Sequence, residues 1–592
     1  MPYRAPVADM LFALDQAGLA AAREEGLFGD LDAETVAAVI EQAGAFATEV
    51  IAPLNRVGDR EGARLADGVV TTATGWRKAH RDLAEAGWNA VLADEAYGGQ
   101  GLPTAIWAAT TELWAQGSMA FGLCPLLTQG AVECLERHAS EALKERYLAR
   151  LVSGEWTATM NLTEPQAGTD LALLRTRAER AGDGSYRIAG QKIYITYGEH
   201  DMTENILHLV LARLPDAPPG TRGISLFLVP KRHVAEDGSL GGRNDVVCAG
   251  LEEKLGIHGS PTCTMIYGER DGGAVGYLVG EENRGLACMF TMMNNARLAV
   301  GLQGVAIAER ATQEALAYAH ERRQGKAEGS EGASAIVAHP DVRRMLLTLR
   351  ALTAAARAIC YRAAVEIDRS RFARDEEARR QAHERASLLI PIAKAFGTDV
   401  GCEAASLAIQ VHGGMGYIEE TGVAQHLRDA RITPIYEGTN GVQAIDLVSR
   451  KLGQSNGAAT SALISSLRDV VRQVADVNAP AFGATAPRLA EAVDALEQAT
   501  AWLMAPGRST AETLAGATPY LRLFGLCLGG AALAQEALAA GRAGDGAASP
   551  ARIALARFFA ENIVTAAPGL ARTVTEGAGA LSGEAVEAAL AL

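Results

Sequence analysis

The chain has 592 residues and eight cysteines, at positions 124, 134, 248, 263, 288, 360, 402 and 527, and no two of them form a C-x-x-C pair. That spacing excludes a zinc ribbon or thioredoxin-type site and fits buried thiols in a reducing compartment. An excess of basic residues is also missing. Lys and Arg number 55 against 70 Asp and Glu, for a formal charge of -15. Phosphates must be met by Lys and Arg, so neither a nucleic acid nor an anionic membrane surface is expected as partner. The N-terminal MPYRAPVADMLFAL lacks the charged-then-apolar order of a signal peptide. No run of about 18 apolar residues is free of charge or glycine breaks, so no membrane span is expected. No G-x-G-x-x-G opens a βα unit, which leaves a Rossmann dinucleotide fold unsupported. No solenoid repeat is evident. A cytoplasmic location is the expectation.

What is present is a globular composition, 48% hydrophobic and 21% charged, long enough for more than one core. Residues 1–155 read as helical, with an N-terminal extension. Val36, Val39, Ile40, Ala43 and Ala47 share one helical face over residues 33–50, and a second helix is expected over 75–86. The cluster DEAYGGQGLP marks a tight reversal. Residues 156–283 change character: WTATMNLTE, SYRIAGQKIYIT, HLVLARL, GISLFLVP and CTMIYGE are short β-branched runs separated by turn residues. They predict an inserted antiparallel β-barrel or sandwich. Helix returns over 284–452 as long segments suited to an antiparallel bundle. After a Gly-, Ser- and Asn-rich linker (KLGQSNGAATS), an additional helical domain is expected over 453–592. That extension carries nine basic and twelve acidic residues and is no nucleic-acid arm. The expected fold is mainly α with an inserted β domain.

The stretch RDARITPIYEGTNGVQ, residues 428–443, organises the rest. A helix carrying Arg428, Asp429 and Arg431 meets Pro434, which cannot continue it. Turns are expected at Gly438 and again at Asn440-Gly441, where positive φ is cheap. An amphipathic helix follows with Val442, Ile445, Val448 and Leu452 at helical spacing. Glu437 then sits in a short loop beside an aromatic ring and a glycine. A flat ligand can approach closely there, and burial would raise the carboxyl pKa towards that of a working base.

IYEGTN followed by a helix ending in SRKL resembles the catalytic segment of the acyl-CoA dehydrogenase family, and four further motifs stand in that family's order. NLTEPQAGTD (161–170) resembles its flavin signature. QKIYITYG (191–198) resembles KxWITN, with Tyr194 for Trp and Tyr197 where Asn is usual. EEKLGIHGSPTCTM (252–265) is similar to KxGxxxSxT. IQVHGGMGY (409–417) resembles QxxGGxGY. The resemblance covers roughly residues 33–452. The N-terminal start and the C-terminal extension resemble a long branch of the family, which includes 3-methylmercaptopropionyl-CoA dehydrogenases.

By this resemblance the chain is an FAD-dependent homodimer performing the first step of a β-oxidation-type reaction. Glu437 removes the α-proton of an acyl-CoA thioester, and hydride passes to the flavin. Met160, Leu162, Thr163, Thr169, Tyr194 and Thr196 are implied to hold FAD. Arg322, Gln410, Gly413, Gly414 and Thr439 are implied to reach the FAD of the neighbouring chain or its surroundings. Arg297, corresponding to the Arg that opens the long bundle helix, is implied in substrate binding with Thr169, Tyr436 and Gly438. No metal is implied. An electron-transferring flavoprotein is the implied acceptor. Two rivals stay open: an acyl-CoA oxidase or flavin monooxygenase of the same fold, and a DNA-binding non-enzymatic member. The acyl chain is expected to be short or medium, with 3-methylmercaptopropionyl-CoA among the candidates. Glu419 and Glu420 are the alternative bases.

Overall fold

The computed structural model describes residues 3–270, 272–543 and 548–592. It divides into two compact units, Ala45–Trp107 with Leu113–Ala296, and Met1–Gly44 with Ala108–Glu112 and Arg297–Leu592.

The first unit is built on an eight-stranded sheet. Its order is Val246–Leu251, Thr262–Tyr267, Tyr186–Thr196, Ala274–Val279, Ile224–Pro230, Ile206–Arg213, Thr157–Asn161, with Arg177–Arg180 beside Tyr186–Thr196. The central runs are apolar on both faces and buried throughout, as ISLFLVP requires of a strand covered on two sides. Phe227, Met265, Tyr267 and Ile188 lie in its core. The sheet is not wholly antiparallel as expected. Thr157–Asn161 runs parallel to Ile206–Arg213, with Met160 opposite Leu209. It follows the helix Glu141–Val152 rather than a hairpin turn, so no tight turn imposes the antiparallel sense. The helical reading of the N-terminal region is also corrected at one place. Arg64–Ala66 pairs with Val69–Thr71 around Asp67-Gly68, both at positive φ, which is the Asp-Gly hairpin signal. In the reversal at 94–101, a side chain on Gly99 would lie 1.9 Å from the Ala93 carbonyl oxygen, so the turn closes only on glycine.

Among the described residues, two helices, Thr104–His138 and Ala517–Arg542, are long and apolar enough to cross a membrane, though each carries charge and glycine within it, Glu112 and Gly117 in one and Arg522 and Gly525 in the other. Their most apolar windows are 100% and 83% buried in the protein itself, which accounts for their composition.

In the second unit, the helices Pro340–Phe372 and Glu376–His412 pack along one another. The C-terminal part of Gly285–Glu321 crosses them at glycines. A Cβ on Gly304 would meet the Gly397 carbonyl oxygen at 2.1 Å, and one on Gly397 would meet that of Gly301 at 2.6 Å. This backbone-to-backbone approach sets the register that brings Gln303 and Lys394 to one side of the unit. Arg357 is buried between two carboxylates: it meets Glu112 Oε1 through Nε at 2.9 Å and Nη2 at 2.7 Å, and Glu309 Oε2 at 3.1 Å. Tyr361 donates to Glu112 Oε2 at 2.6 Å.

The expected linker is a tight joint. Ser455, Asn456 and Gly457 all have positive φ, and the helix Ala458–Val477 starts at once. The helix Ala517–Ala543 of the extension lies on Pro340–Phe372 and Glu376–His412 within the same unit. At Gly525 a Cβ would stand 2.4 Å from the Phe396 ring.

Candidate active site

In the second unit the helix Val423–Ala430 ends before Pro434, and the chain turns through Glu437 and Gly438 at φ +55° and +81°. The left-handed backbone falls on Glu437 itself, a conformation that costs a non-glycine residue of the order of 1 kcal/mol or more and persists only where its surroundings fix it. Several bonds do so. Asn440 N–H donates to the Pro434 carbonyl at 2.9 Å. The Gln443 amide donates to the carbonyls of Glu437 and Gly438 at 3.3 and 3.2 Å. Tyr436 donates its hydroxyl to Gln303 Oε1. Thr439 caps the next helix by accepting from Val442 N–H at 3.2 Å. Asn440-Gly441 therefore forms the first turn of helix Asn440–Asp446 and not the second reversal expected. That helix continues into a π-helical turn, Leu447–Lys451, which rotates the buried face onto Ala444, Leu447 and Leu452 and leaves Ile445 exposed.

The Glu437 carboxylate is half-buried and has no hydrogen-bond or ion-pair partner among the described residues. Burial raises its pKa above the usual carboxylate range, and Arg297 and Lys394 pull it partly back. Arg297 lies well inside Gly285–Glu321, not at its opening as expected. It is 7% exposed, meets Asp446 Oδ2 at 3.4 Å and keeps its buried Nε–H unpaired. The main-chain N–H groups of Glu437 and Gly438 find no acceptor in the loop. A carboxylate with raised proton affinity, cations near it but not bonded to it, and amides without an acceptor beside it are what a general base with an oxyanion contact requires.

Tyr318 stacks on His412, ring centroids 4.3 Å apart at 25°, so two helix ends share one end of the unit. Arg322, one turn beyond Tyr318, and Gln410, Gly413 and Gly414 stand there exposed. Gly413 has φ +60°, and no atom lies within 4 Å of a Cβ built on either glycine. The Arg322 side chain bonds only Gln324, at 3.2 Å, among the described residues. Met415, Tyr417 and Ile418 continue this exposed strip. Thr439 belongs to the Glu437 loop.

In the first unit, the turn after Thr157–Asn161 is held by a buried ion pair the motif reading missed. Lys192 Nζ meets Glu164 Oε1 at 2.9 Å and the Leu162 carbonyl at 3.0 Å. Glu164 also accepts from Arg175 and Thr176 N–H at 2.7 and 3.0 Å. Burial works against ionised Glu164, but Lys192 and these donors hold its carboxyl down at about 2. Ile193 N–H bonds the Thr163 carbonyl at 3.0 Å. Leu162 and Thr163 are half-buried, Met160 is buried, and Thr169 is exposed. Tyr194 is 61% exposed at φ +60°, a ring presented outward by a left-handed backbone. The hydroxyls of Thr163, Thr169 and Thr196 make no hydrogen bond among the described residues. An open aromatic face, uncommitted hydroxyls and fixed carbonyls suit a flat polar ring system such as a flavin. Tyr197, where Asn was usual, is a core residue: it accepts from Trp76 Nε1 at 3.1 Å and donates to the Ala120 carbonyl at 2.7 Å.

The bond between Lys394 and Asn440 was also missed. Lys394 stands in LLIPIAKAFG, a lysine in an otherwise apolar helical run, and that isolation was the available signal.

Comparison with known proteins gives a consistent match. Residues 33–155, 159–269 and 283–452 match the N-terminal, middle and C-terminal domains of acyl-CoA dehydrogenases, and residues 464–583 an acetyl-CoA dehydrogenase C-terminal-like domain. The chain is 45% identical over 572 residues to 3-methylmercaptopropionyl-CoA dehydrogenase of Ruegeria pomeroyi, covering 95% of this chain and 96% of that one. It is 31% identical to a broad-specificity linear acyl-CoA dehydrogenase of Mycobacterium tuberculosis, with 95% of each covered. A solved structure described as electron transferring flavoprotein of Acidaminococcus fermentans is 26% identical, with TM-score 0.58, over 72% of this chain and 99% of that one.

Proposed function

Because the chain belongs to the acyl-CoA dehydrogenase family, an FAD-dependent group of oxidoreductases that α,β-dehydrogenate acyl-CoA thioesters, we propose that Glu437 is its catalytic base. The observation that carries this reading is the unbonded Glu437 carboxylate, raised in proton affinity by burial and flanked by Arg297 and Lys394. Glu437 takes the α-proton onto a carboxylate oxygen, and its main-chain N–H polarises the thioester carbonyl, which makes that proton more acidic. FAD, when bound, supplies the two-electron acceptor for the β-hydrogen. Leu162, Thr163, Thr169, Tyr194 and Thr196 would hold it, with Met160 behind them. Glu419 is exposed and paired with Arg428 at 3.1 Å, a poorer setting for a base.

The substrate we propose is a short or medium acyl-CoA, with 3-methylmercaptopropionyl-CoA first, on the strength of the 45% identity along nearly the whole chain. Purified enzyme assayed with an artificial electron acceptor should turn over 3-methylmercaptopropionyl-CoA and butyryl-CoA faster than palmitoyl-CoA. Activity on long-chain thioesters alone would refute this. Electron-transferring flavoprotein is the proposed physiological acceptor, and the cytoplasm the proposed location.

A homodimer is proposed from the exposed strip of Arg322, Gln410, Gly413, Gly414, Met415 and Tyr417, uncovered in a single chain. Arg322→Ala should retain the fold but lose FAD more readily, by about tenfold or more in Kd, because a charge-assisted phosphate bond is removed. Equilibrium dialysis with sedimentation checks it. A monomer that binds FAD as tightly as the parent would end the shared-site reading.

A further inference from the structure

Lys394 lies in the middle of helix Glu376–His412 and is fully buried. Its Nζ donates to Asn440 Oδ1 at 2.9 Å. The Asn440 amide in turn donates to Asp399 Oδ1 at 2.7 Å, Thr398 Oγ1 at 3.0 Å and the Ala395 carbonyl at 3.2 Å. Every side-chain atom of Asn440 able to hydrogen-bond is thus spent on this helix, three residues after Glu437. The charged groups facing Lys394 are Glu437, Asp399 and Arg297. Arg522, from helix Ala517–Ala543, stands near enough to Asp399 to lower its pKa and pairs with Glu403 at 2.9 Å. No ion pair joins Lys394 to Glu437.

We propose that Lys394 is a positioning residue for Glu437, anchoring the base's loop through Asn440 and supplying a counter-charge that the Asn440 bond holds away from the carboxylate. A cation bonded directly to Glu437 would quench it as a base, whereas no cation at all would leave it protonated in a desolvated site. A tethered ammonium avoids both outcomes. Burial holds Lys394 down at about 7, against the pull of Glu437 and Asp399, so its charge responds to that of its neighbours.

This inference rests on Glu437 being the base, and Glu437→Gln tests that reading separately. Lys394→Gln keeps an amide donor for Asn440 and removes the charge. With the cation gone, Glu437 should ionise at higher pH. The acid limb of the rate of flavin reduction should therefore move up by about one pH unit, with the plateau rate regained above it. Infrared titration of the Glu437 carboxyl band in FAD-free protein, with Glu437→Gln as blank, should show the same displacement without turnover. Asn440→Ala leaves the charge and cuts the tether: its plateau rate should fall tenfold or more with FAD retained. An unmoved acid limb and carboxyl band in Lys394→Gln, or a uniform loss of rate at every pH, overturns the proposal while Glu437→Gln still decides the base. If Lys394→Gln does not fold, Asn440→Ala decides: an undiminished plateau overturns the tether, and a lowered one upholds it.

Discussion

Glu437→Gln is expected to keep its FAD and to lose flavin reduction by acyl-CoA by about 10²–10⁴-fold, the usual worth of a general base. Glutamine has the size and planar end of the parent side chain but cannot accept the α-proton. The loop should survive the change because its bonds come from elsewhere. Gln443 holds the carbonyls of residues 437 and 438, and Asn440 is tied to helix Glu376–His412. Stopped-flow reduction measures the rate, and the flavin spectrum on adding acyl-CoA shows that substrate still binds. In the parent enzyme the rate should rise with pH through the raised pKa of Glu437, because the ionised form is the active one. Near-normal reduction in the variant would remove Glu437 from the mechanism. Loss of FAD would reduce Glu437 to a residue that shapes its loop.

Arg357→Met is expected to destabilise the second unit by about 3–5 kcal/mol, because it removes the buried cation that bonds both Glu112 and Glu309. Both carboxylate side chains are at most 3% exposed, and Arg357 is the cation that meets each. Burial alone would push Glu309 up, yet Arg357, Arg350 and the Gln313 hydrogen bond reverse this and hold it below its ordinary range. Its folded-state pKa is therefore depressed, and the linked stability is present above the unfolded value and lost as pH falls through the folded one. Without Arg357 the sign inverts. With its largest lowering influence gone, burial dominates at Glu309, and mild acidification should stabilise the variant while it destabilises the parent. Thermal denaturation across pH 4–8 (roughly the window between carboxylate and neutral pKa values) separates the two. A variant with the parent's midpoint and pH slope would show that the network contributes specificity and little stability.

Turn chemistry and strong motifs made much of this molecule legible from its letters. Pro434 and Gly438 mark a reversal because one lacks an N–H and the other tolerates positive φ. Long-range effects were not legible. That Glu437 itself takes a left-handed backbone depends on Gln443 and on Asn440, whose anchors lie more than forty residues earlier. The isolation of Lys394 in an apolar run marks it as unusual, but what it bonds is unknown until Asn440 is placed against it. Helix Thr104–His138 escaped the periodicity reading because it is apolar all round and broken at Ser118, with φ -158° and ψ 113°, so no single face repeats. Val246–Leu251 and Ala274–Val279 escaped because strands this short and glycine-containing carry little alternation. Ile445 sat at the right spacing for the core, but the π-helical turn after it carries an extra residue per turn and moves the seam.

The joint at Ser455–Gly457 bears on how this protein can be dissected. Arg522 of the extension lies over the Phe396 ring at 5.0 Å and stands near Asp399, which receives the Asn440 amide. The last 140 or so residues are thus the outer scaffolding of the loop that carries Glu437, and no removable tail. A chain cut at Gly453 would bare Phe396 and the apolar flank of helix Glu376–His412, and it should be recovered from cells as aggregate. Libraries that seek altered turnover should therefore sample the helix Ala517–Ala543 as readily as the loop of Glu437, since Arg522 on that helix reaches the loop through Asp399 and Asn440.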